Sequence, residues 1–311
     1  MDAQQTRKGI FFALGAYTIW GIAPVYFKLL EHVPADEILT HRIIWSFFFM
    51  LILLSIGRKW RQVRVACKNV KRLLLLAFTS VLIGGNWLLY IWAVNNHHML
   101  EASLGYFINP LVNVMLGMLF LGERFRRLQW LAVSLAVAGV LVQLWTFGSL
   151  PVIGLGLAFS FALYGLLRKK IGIDGQIGML IETLWLLPAA SVYLFFIADT
   201  PSSHLAENSG SLNLLLMCAG IITTIPLLFF TAAAMRLRLS TLGFFQYLGP
   251  TLTFLLAVTC YGETFGEDKM ITFAFIWSAL ALFILDAFYH RHKQRHKQRQ
   301  AAGITARCAG R

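Results

Sequence analysis

The sequence has 311 residues, of which 58% are hydrophobic and 13% are charged, and its formal net charge is +13. Soluble domains carry about 45–50% apolar and about 25% charged residues, so this composition excludes an ordinary soluble protein. A strong positive charge is typical either of a nucleic-acid-binding surface or of the cytoplasmic joints of a membrane protein, and its distribution distinguishes the two.

Ten apolar stretches approach the roughly 20 residues that an α-helix needs to cross a hydrocarbon core. Backbone polar groups in lipid must be satisfied within the segment, so these stretches are predicted to be helices. In chain order they cover residues 9–30, 38–56, 73–94, 102–121, 130–145, 151–167, 178–197, 212–234, 241–261 and 270–289. We therefore predict an all-α integral membrane protein with ten transmembrane helices.

The basic residues alternate between the joints of these helices. With the N-terminus inside, 24 of the 27 Lys and Arg residues fall on the cytoplasmic side, and the outer joints keep only Lys269. Because cytoplasmic loops hold the Lys and Arg excess, both termini are predicted to be cytoplasmic. The positive charge is therefore explained by the cytoplasmic joints of a protein whose partner is the lipid bilayer, and no nucleic-acid partner is expected. Residues 291–311 are predicted to be a basic, disordered cytoplasmic tail.

No pattern in the sequence indicates catalysis. The four cysteines have neither a disulfide framework nor metal-ligand spacing. There is no GxxxxGK[ST] nucleotide-binding motif, and no clustered acids or nucleophile paired with a base stand out. The sequence therefore predicts no catalytic residue, no metal and no cofactor.

An internal repeat relates the two halves of the chain. The segment "LGYFINPLVNVMLGMLFLGERF" resembles "LGFFQYLGPTLTFLLAVTCYGETF" further along. Four pairs keep an offset of 140 residues: Pro110 and Pro250, Gly122 and Gly262, Glu123 and Glu263, and Phe125 and Phe265. Each half, 1–147 and 148–290, would hold five spans, so the second copy enters the membrane from the opposite side. Two inverted five-helix repeats are the architecture of a carrier.

Several longer motifs resemble a known family. The proline of the fourth span followed by "FLGERF" and "QWLAVSLAVAGVLV" resembles the EamA-type members of the drug/metabolite transporter superfamily. The stretches "WGIAPVYFK", "ADEILTHRIIWSF" and "LSTLGFFQYLGPTLTFLLAV" are similar to its RarD branch, whose family name refers to chloramphenicol sensitivity. This resemblance, over about residues 1–290, implies a permease of the bacterial inner membrane.

Polar residues in the fourth span form the first candidate site. Asn109 and Asn113 are four residues apart and share a helix face, which Tyr106 extends. Pro110 between them removes a backbone donor and frees a carbonyl in the preceding turn. The stripe is either a hydrogen-bonding wall of a substrate cavity or a contact between helices, and the sequence leaves both open.

Other residues are candidates for the same cavity. Polar and aromatic side chains within the spans are placed to line it: Trp20, Asn86, Tyr90, Gln246 and Tyr247. Pro250 is predicted to interrupt the ninth span as Pro110 interrupts the fourth.

Two ionisable residues within the spans are candidates for gating or coupling. Arg42 lies near the outer start of the second span, and Glu182 lies near the inner start of the seventh. Charged groups at membrane depth are costly and usually functional. Each could gate one side, and Glu182 could carry a coupling proton. The alternative for both is that the side chain reaches the nearest interface.

The sequence as a whole predicts a secondary transporter that moves a small metabolite or drug-like solute by alternating access. A receptor or scaffold that moves nothing, or a membrane-embedded enzyme, is the alternative. Cargo, direction, coupling ion and a homodimeric state are left open.

Overall fold

A computed structural model of the chain describes residues 3–96, 98–198, 200–203, 205–261, 266, 269–287 and 289. The regular structure of these residues is helical throughout. Ten helical segments within them are long and apolar enough to cross a membrane, which confirms the predicted all-α membrane fold. The repeat partners Gly262, Glu263 and Phe265 and the tail 291–311 lie outside the described residues.

The helices follow one another with short joints. They are α1 (Ala3–Lys28), α2 (Ala35–Ile56), α3 (Trp60–Cys67), α4 (Val70–Asn95), α5 (Met99–Leu121), α6 (Arg127–Phe147), α7 (Val152–Ile171), α8 (Gly175–Val192), α9 (Gly210–Arg236), α10 (Leu239–Gln246), α11 (Leu248–Tyr261) and α12 (Lys269–Ala287). A π-helical turn, Tyr193–Ile197, prolongs α8, and a 3₁₀ turn, Pro201–Ser203, precedes α9.

Local capping explains many of the helix ends. Asn69, Asp174 and Ser209 accept hydrogen bonds from backbone N–H groups in the first turns of α4, α8 and α9, as side-chain oxygens at N-caps usually do. Three helices end at a glycine with a left-handed backbone conformation: Gly122, Gly148 and Gly172. Such glycines end helices without the strain that a Cβ atom would add.

Two features of the helices depart from a plain set of ten spans. The short helix α3 lies in the most basic joint, and hydropathy gave no sign of it because eight residues cannot cross a membrane. The ninth span is divided at Tyr247 into α10 and α11, three residues before Pro250. A proline disturbs the helical turn that precedes it. By contrast, α5 runs unbroken through Pro110.

The chain divides into two compact units. The larger unit comprises Met1–Glu123 and Ser149–Thr264 and contains α1–α5 and α7–α11. Within it, α1 packs on α9 and α11, while α7 packs on α4 and α5. Similarly, α2 packs on α9 and α8 packs on α4, and the pairs α2 with α8 and α5 with α10 are also in contact.

Glycines allow some of these helices to approach closely. A Cβ atom on Gly154 of α7 would lie 2.7 Å from the carbonyl oxygen of Glu101 and 3.1 Å from the backbone nitrogen of Gly105 on α5. A Cβ atom on Gly220 of α9 would lie 2.5 Å from the backbone of Trp45 on α2. Small residues at such crossings are the usual means of helix association in membranes.

The smaller unit comprises Arg124–Gly148 and Phe265–Arg311 and contains α6 and α12. Gln143 of α6 donates to the hydroxyl of Thr272 on α12 at 2.9 Å. The guanidinium of Arg126 donates to the carboxylate of Asp286, whose side chain is fully buried. These polar contacts fix the register of α6 against α12.

Candidate functional site

The first of two ionisable sites in the larger unit surrounds Arg42, near the start of α2. Its Nε donates to the hydroxyl of Thr223 on α9 at 2.8 Å. Its guanidinium lies 4.9 Å from the ring centroid of Trp87 on α4 and 5.5 Å from that of Phe27 on α1. Both distances are within the range of cation–π attraction. Four helices therefore converge on this arginine.

Three tyrosines complete the surroundings of the guanidinium. The phenols of Tyr26, Tyr90 and Tyr106 are close enough to Arg42 to interact with its charge. The rings of Tyr90 and Tyr106 meet edge-on, with centroids 6.1 Å apart. We call Arg42 and its six neighbours, Tyr26, Phe27, Trp87, Tyr90, Tyr106 and Thr223, the arginine cage.

The arginine cage is open on one side. Tyr106 is 52% exposed, although it lies on α5, the span with the largest fraction of buried residues among the ten, 56%. Arg42 itself is only half-buried. Among the described residues, no carboxylate lies within ion-pair distance of Arg42, and none accepts a hydrogen bond from its Nη1 or Nη2. The arginine cage therefore keeps some exposed surface, and the terminal donors of Arg42 have no acceptor among the described residues.

An aromatic cluster is formed by side chains of α1, α7 and α9. Trp20 packs against Phe161 and Phe230, with ring centroids 5.9 and 6.0 Å away. Phe230 also stacks on Tyr164, with centroids 6.2 Å apart and planes at 17°. Tyr17 joins from the same face of α1 as Trp20. The structure thus places Trp20 in a packed aromatic group that ends at Tyr164.

Tyr164 leads to the second ionisable site, at Glu182 of α8. The carboxylate of Glu182 accepts hydrogen bonds from Thr79 of α4 at 2.6 Å and from Tyr164 of α7 at 3.2 Å. Its Oε1 lies 3.7 Å from Nε of Arg168, and both side chains are 2% exposed. Glu182 therefore faces the protein interior and does not extend to an interface. We call these four residues the glutamate network.

Besides its ion pair with Glu182, Arg168 makes one hydrogen bond to the described residues. Its Nη2 donates to the carbonyl of Gly175 at 3.2 Å, while Nε and Nη1 are buried with no hydrogen-bond partner among the described residues. A Cβ atom on Gly178 would collide with the guanidinium, so glycine at this place in α8 makes room for the arginine. The pair thus joins an acidic and a basic side chain in the protein interior.

The asparagines of α5 form a polar contact with α10. Nδ2 of Asn113 donates to Oδ1 of Asn109 at 2.9 Å and to Oε1 of Gln246 at 2.5 Å. All three side chains are buried. The hydroxyl of Tyr247 donates to the carbonyl of Phe107 at 3.2 Å, close to Pro110. In this conformation these residues join two helices.

Asn86 makes a similar contact elsewhere. Its Nδ2 donates to the carbonyl of Leu157 at 2.9 Å and to the hydroxyl of Ser160 at 2.8 Å, which joins α4 to α7. The repeated glutamate of the first half, Glu123, accepts from the backbone N–H groups of Leu239 at 2.7 Å and Ser240 at 3.0 Å. It thus caps the N-terminus of α10, where a negative charge is favourable.

The structure brings only some of the candidate residues together. Arg42, Tyr90 and Tyr106 meet in the arginine cage, whereas Glu182 belongs to a separate network. Sequence reasoning missed Arg168 as the partner of Glu182, because it lies next to Lys169 and Lys170 and reads as part of a basic joint. Among the described residues, no group of three or more His, Cys, Asp or Glu side chains could hold a metal ion.

Comparison with known proteins identifies the family. Residues 7–145 match the EamA-like transporter family. "Protein RarD" of Salmonella typhimurium is 73% identical over 94% of this chain and 100% of its own. An "Uncharacterized transporter" of Vibrio cholerae is 58% identical over 94% and 97% of the two chains. "Chloramphenicol-sensitive protein RarD" of Pseudomonas aeruginosa is 33% identical over 88% and 93%.

A solved crystal structure shares the fold. It covers 93% of this chain and 99% of its own with a TM-score of 0.70, at 19% sequence identity. With ten membrane-spanning helices and these bacterial relatives, the protein is a multi-pass protein of the bacterial inner membrane. The chain belongs to the RarD branch of the EamA-like transporter family.

Proposed function

We propose that this protein is a secondary transporter that carries a small solute through its larger unit by alternating access between two inverted five-helix repeats, residues 1–147 and 148–290. The family is one of transporters, and relatives carry that description in their names. The internal symmetry of the polar contacts supports the alternating-access mechanism.

The observation that carries the proposal is a pair of matching hydrogen bonds. Arg42 and Glu182 are 140 residues apart, the offset that also separates Pro110 from Pro250. Arg42, on the second span of its half, bonds Thr223 on the third span of the other half. Glu182, on the second span of its half, bonds Thr79 on the third span of the other half. The same connection is therefore made twice, once with each sign of charge.

Helix packing has the same symmetry. In the repeat, α1, α2, α4 and α5 of the first half correspond to α7, α8, α9 and the α10–α11 span of the second half. When each helix is replaced by its counterpart, every helix contact of the larger unit given above becomes a contact that is also in that set. The contact of α1 with α9, for example, becomes that of α7 with α4. Inverted repeats related in this way can exchange conformations, so that a site opens to one side and then to the other.

The two ionisable sites then serve as opposite gates. The arginine cage lies near the C-terminal end of α1, and the glutamate network lies near the C-terminal end of α7. If the basic joints face inward, this end of α7 is the cytoplasmic one. The cage is open and the network is closed by an ion pair. We therefore assign this conformation to the outward-open state, in which the aromatic cluster around Trp20 separates solute from the cytoplasm.

The remaining candidate residues act as hinges and braces in this proposal. Asn109, Asn113 and Gln246 hold α5 against α10, and Asn86 holds α4 against α7. Pro110 and Pro250 supply the points at which the fourth and ninth spans bend. Tyr247 lies at the division between α10 and α11, where the backbone can change direction.

Flux measurements test the proposal. Proteoliposomes containing the full chain are loaded with a mixed panel of metabolites and drugs that includes chloramphenicol, and mass spectrometry identifies solutes that cross. We expect saturable, protein-dependent flux that Glu182→Gln reduces at least tenfold. Arg236→Gln is the control, because Arg236 also lies over a phenylalanine, 5.3 Å from the Phe12 centroid, but belongs to neither gate.

Absence of protein-dependent flux for every solute would contradict transport and favour a receptor or scaffold. Flux that Glu182→Gln leaves unchanged would contradict the gate assignment.

A further inference from the structure

We infer that the arginine cage binds the carboxylate of a small organic monoanion with an apolar or aromatic body, and that this is the substrate class of the transporter. That the bound anion is also transported rests on the proposed function, while the binding site itself rests on the geometry of Arg42 and its neighbours. It assigns to Arg42 the recognition of substrate charge.

The donors of Arg42 are arranged for a carboxylate. A guanidinium has five N–H groups in a planar fork, and Arg42 uses its Nε–H on Thr223 at 2.8 Å. No described residue accepts from Nη1 or Nη2. Arg42 is only half-buried, and the remaining N–H groups of a guanidinium fork match the two oxygens of a carboxylate, which arginine binds in bidentate fashion.

The charge of the arginine cage also requires an anion. The cation–π contacts with Trp87 and Phe27 stabilise the charge only in part, and an uncompensated charge within a membrane span is costly. No carboxylate of the described residues is close enough to compensate Arg42. A bound monoanion would neutralise the guanidinium, and a dianion would leave a net negative charge among aromatic rings.

The walls of the arginine cage select the body of the ligand. The rings of Phe27 and Trp87 lie against the guanidinium, and Tyr90 and Tyr106 are near it. Such surfaces favour apolar and aromatic groups. The cage has no acidic member that could receive an ammonium group. A monocarboxylate without a positive charge therefore fits these surroundings better than a zwitterion or a cation.

Ligand-dependent thermal unfolding of the purified full chain tests this inference. The probes are benzoate, phenylacetate and 3-phenylpropionate, each compared with its neutral amide, together with benzylamine and phenyl phosphate. We expect at least one acid to bind at least tenfold more tightly than its amide, because the amide loses a charge-assisted pair of hydrogen bonds. Benzylamine and phenyl phosphate are expected to bind more weakly than the acid.

Variants locate the binding. Arg42→Gln should remove the advantage of the acid over the amide, and Arg42→Lys should retain only part of it, since lysine lacks the planar fork. Arg236→Gln should leave the advantage unchanged. The inference is overturned if no acid in the panel binds better than its amide, if phenyl phosphate binds better than every acid, or if Arg42→Gln keeps the preference.

Binding and flux can fail separately. If carboxylates bind through Arg42 while no solute crosses the membrane, the site stands and the proposed transport function fails. If the proteoliposomes show flux that neither the acids nor Arg42→Gln inhibits, the transport function stands and this inference fails.

Discussion

The arginine cage and the glutamate network occupy matching places in the two halves of the chain, yet they differ in closure. Arg42 is half-buried, and its two terminal nitrogens bond no described residue, whereas Glu182 is 1% exposed and accepts from two hydroxyls beside an opposite charge. One site can receive a ligand and the other already has its counterion. Two corresponding sites in unlike states are what the proposed alternating-access cycle predicts for a conformation open to one side.

The difference also separates binding from stability. The charge of Glu182 is compensated within the protein, so its removal should disturb folding. The charge of Arg42 has no described counterion, so its removal should disturb ligand binding far more than folding. The two substitutions therefore have opposite expected consequences, although both remove a charge from an apolar span.

The largest expected effect is on stability, from Glu182→Gln. Glutamine can keep hydrogen bonds to Thr79 and Tyr164 but leaves Arg168 buried without a counterion. Breaking one side of a buried ion pair typically costs about 3–5 kcal/mol. Detergent-induced unfolding in mixed micelles measures this loss, and Arg168→Met should show a loss of similar size.

The double variant Arg168→Met with Glu182→Leu serves as the control, because it removes both charges. It should be more stable than either single variant. If the losses of the single variants simply add, the two side chains are not coupled, and the glutamate network is not a closed ion pair.

The next effect concerns Arg42→Gln. We expect its unfolding free energy to stay within about 1 kcal/mol of the wild type, because the lost cation–π contacts are offset by removal of an uncompensated charge. Carboxylate binding should nevertheless fall at least tenfold. Unfolding and ligand titration of the same preparation measure both quantities. A stability loss as large as that of Glu182→Gln would show that Arg42 is structural.

A smaller effect is expected at the polar contact between α5 and α10. Asn113→Ala should cost about 1–2 kcal/mol, the usual size of an asparagine contact between membrane helices. A double-variant cycle with Gln246→Ala measures the coupling across the 2.5 Å hydrogen bond. Asn96→Ala, at an exposed helix end, is the control and should change stability by less than about 0.5 kcal/mol.

If Asn113 and Gln246 show no coupling, their side chains do not stabilise the contact between α5 and α10. They would then line the substrate cavity, which is the other interpretation that the sequence leaves open. That result would extend the ligand site from the arginine cage toward the middle of α5.

Much of this architecture follows from the sequence. Ten spans are readable because length and hydropathy are decided locally, and the structure has ten segments of that kind. Arg42 and Glu182 could be singled out because charges are rare inside apolar runs. Pro250 indicated a break in the ninth span, although the residue at which it falls, Tyr247, depends on packing.

The partners of these residues could not be read in the same way. Arg168 and Glu182 belong to successive helices, and their meeting depends on how α7 and α8 fold back on each other. Thr223 is one of many threonines in the chain, and nothing local distinguishes it as the acceptor for Arg42. A pattern along one helix identifies a polar face, but the residue that meets this face depends on tertiary packing.

The smallest effect is expected at the ion pair between Lys59 and Asp174, which tests whether burial is what separates the sites. Their side chains are 29% and 39% exposed and lie 3.0 Å apart. Burial alone would raise the pKa of Asp174, but hydrogen bonds from Lys59 and from the backbone N–H groups of Gln176 and Ile177 together bring the pKa below its usual value.

Because the folded-state pKa of Asp174 is lowered, its stabilisation is fully present above the unfolded pKa of about 4 and is lost as the pH falls through the lower folded value. An exposed pair contributes about 1 kcal/mol or less. Asp174→Asn keeps an oxygen for the cap of α8 but removes the charge, so unfolding at pH 7 and pH 3 should differ less than in the wild type. A loss at pH 7 as large as that of Glu182→Gln would mean that exposure does not govern these charges, and the contrast between an open cage and a closed network would lose its electrostatic basis.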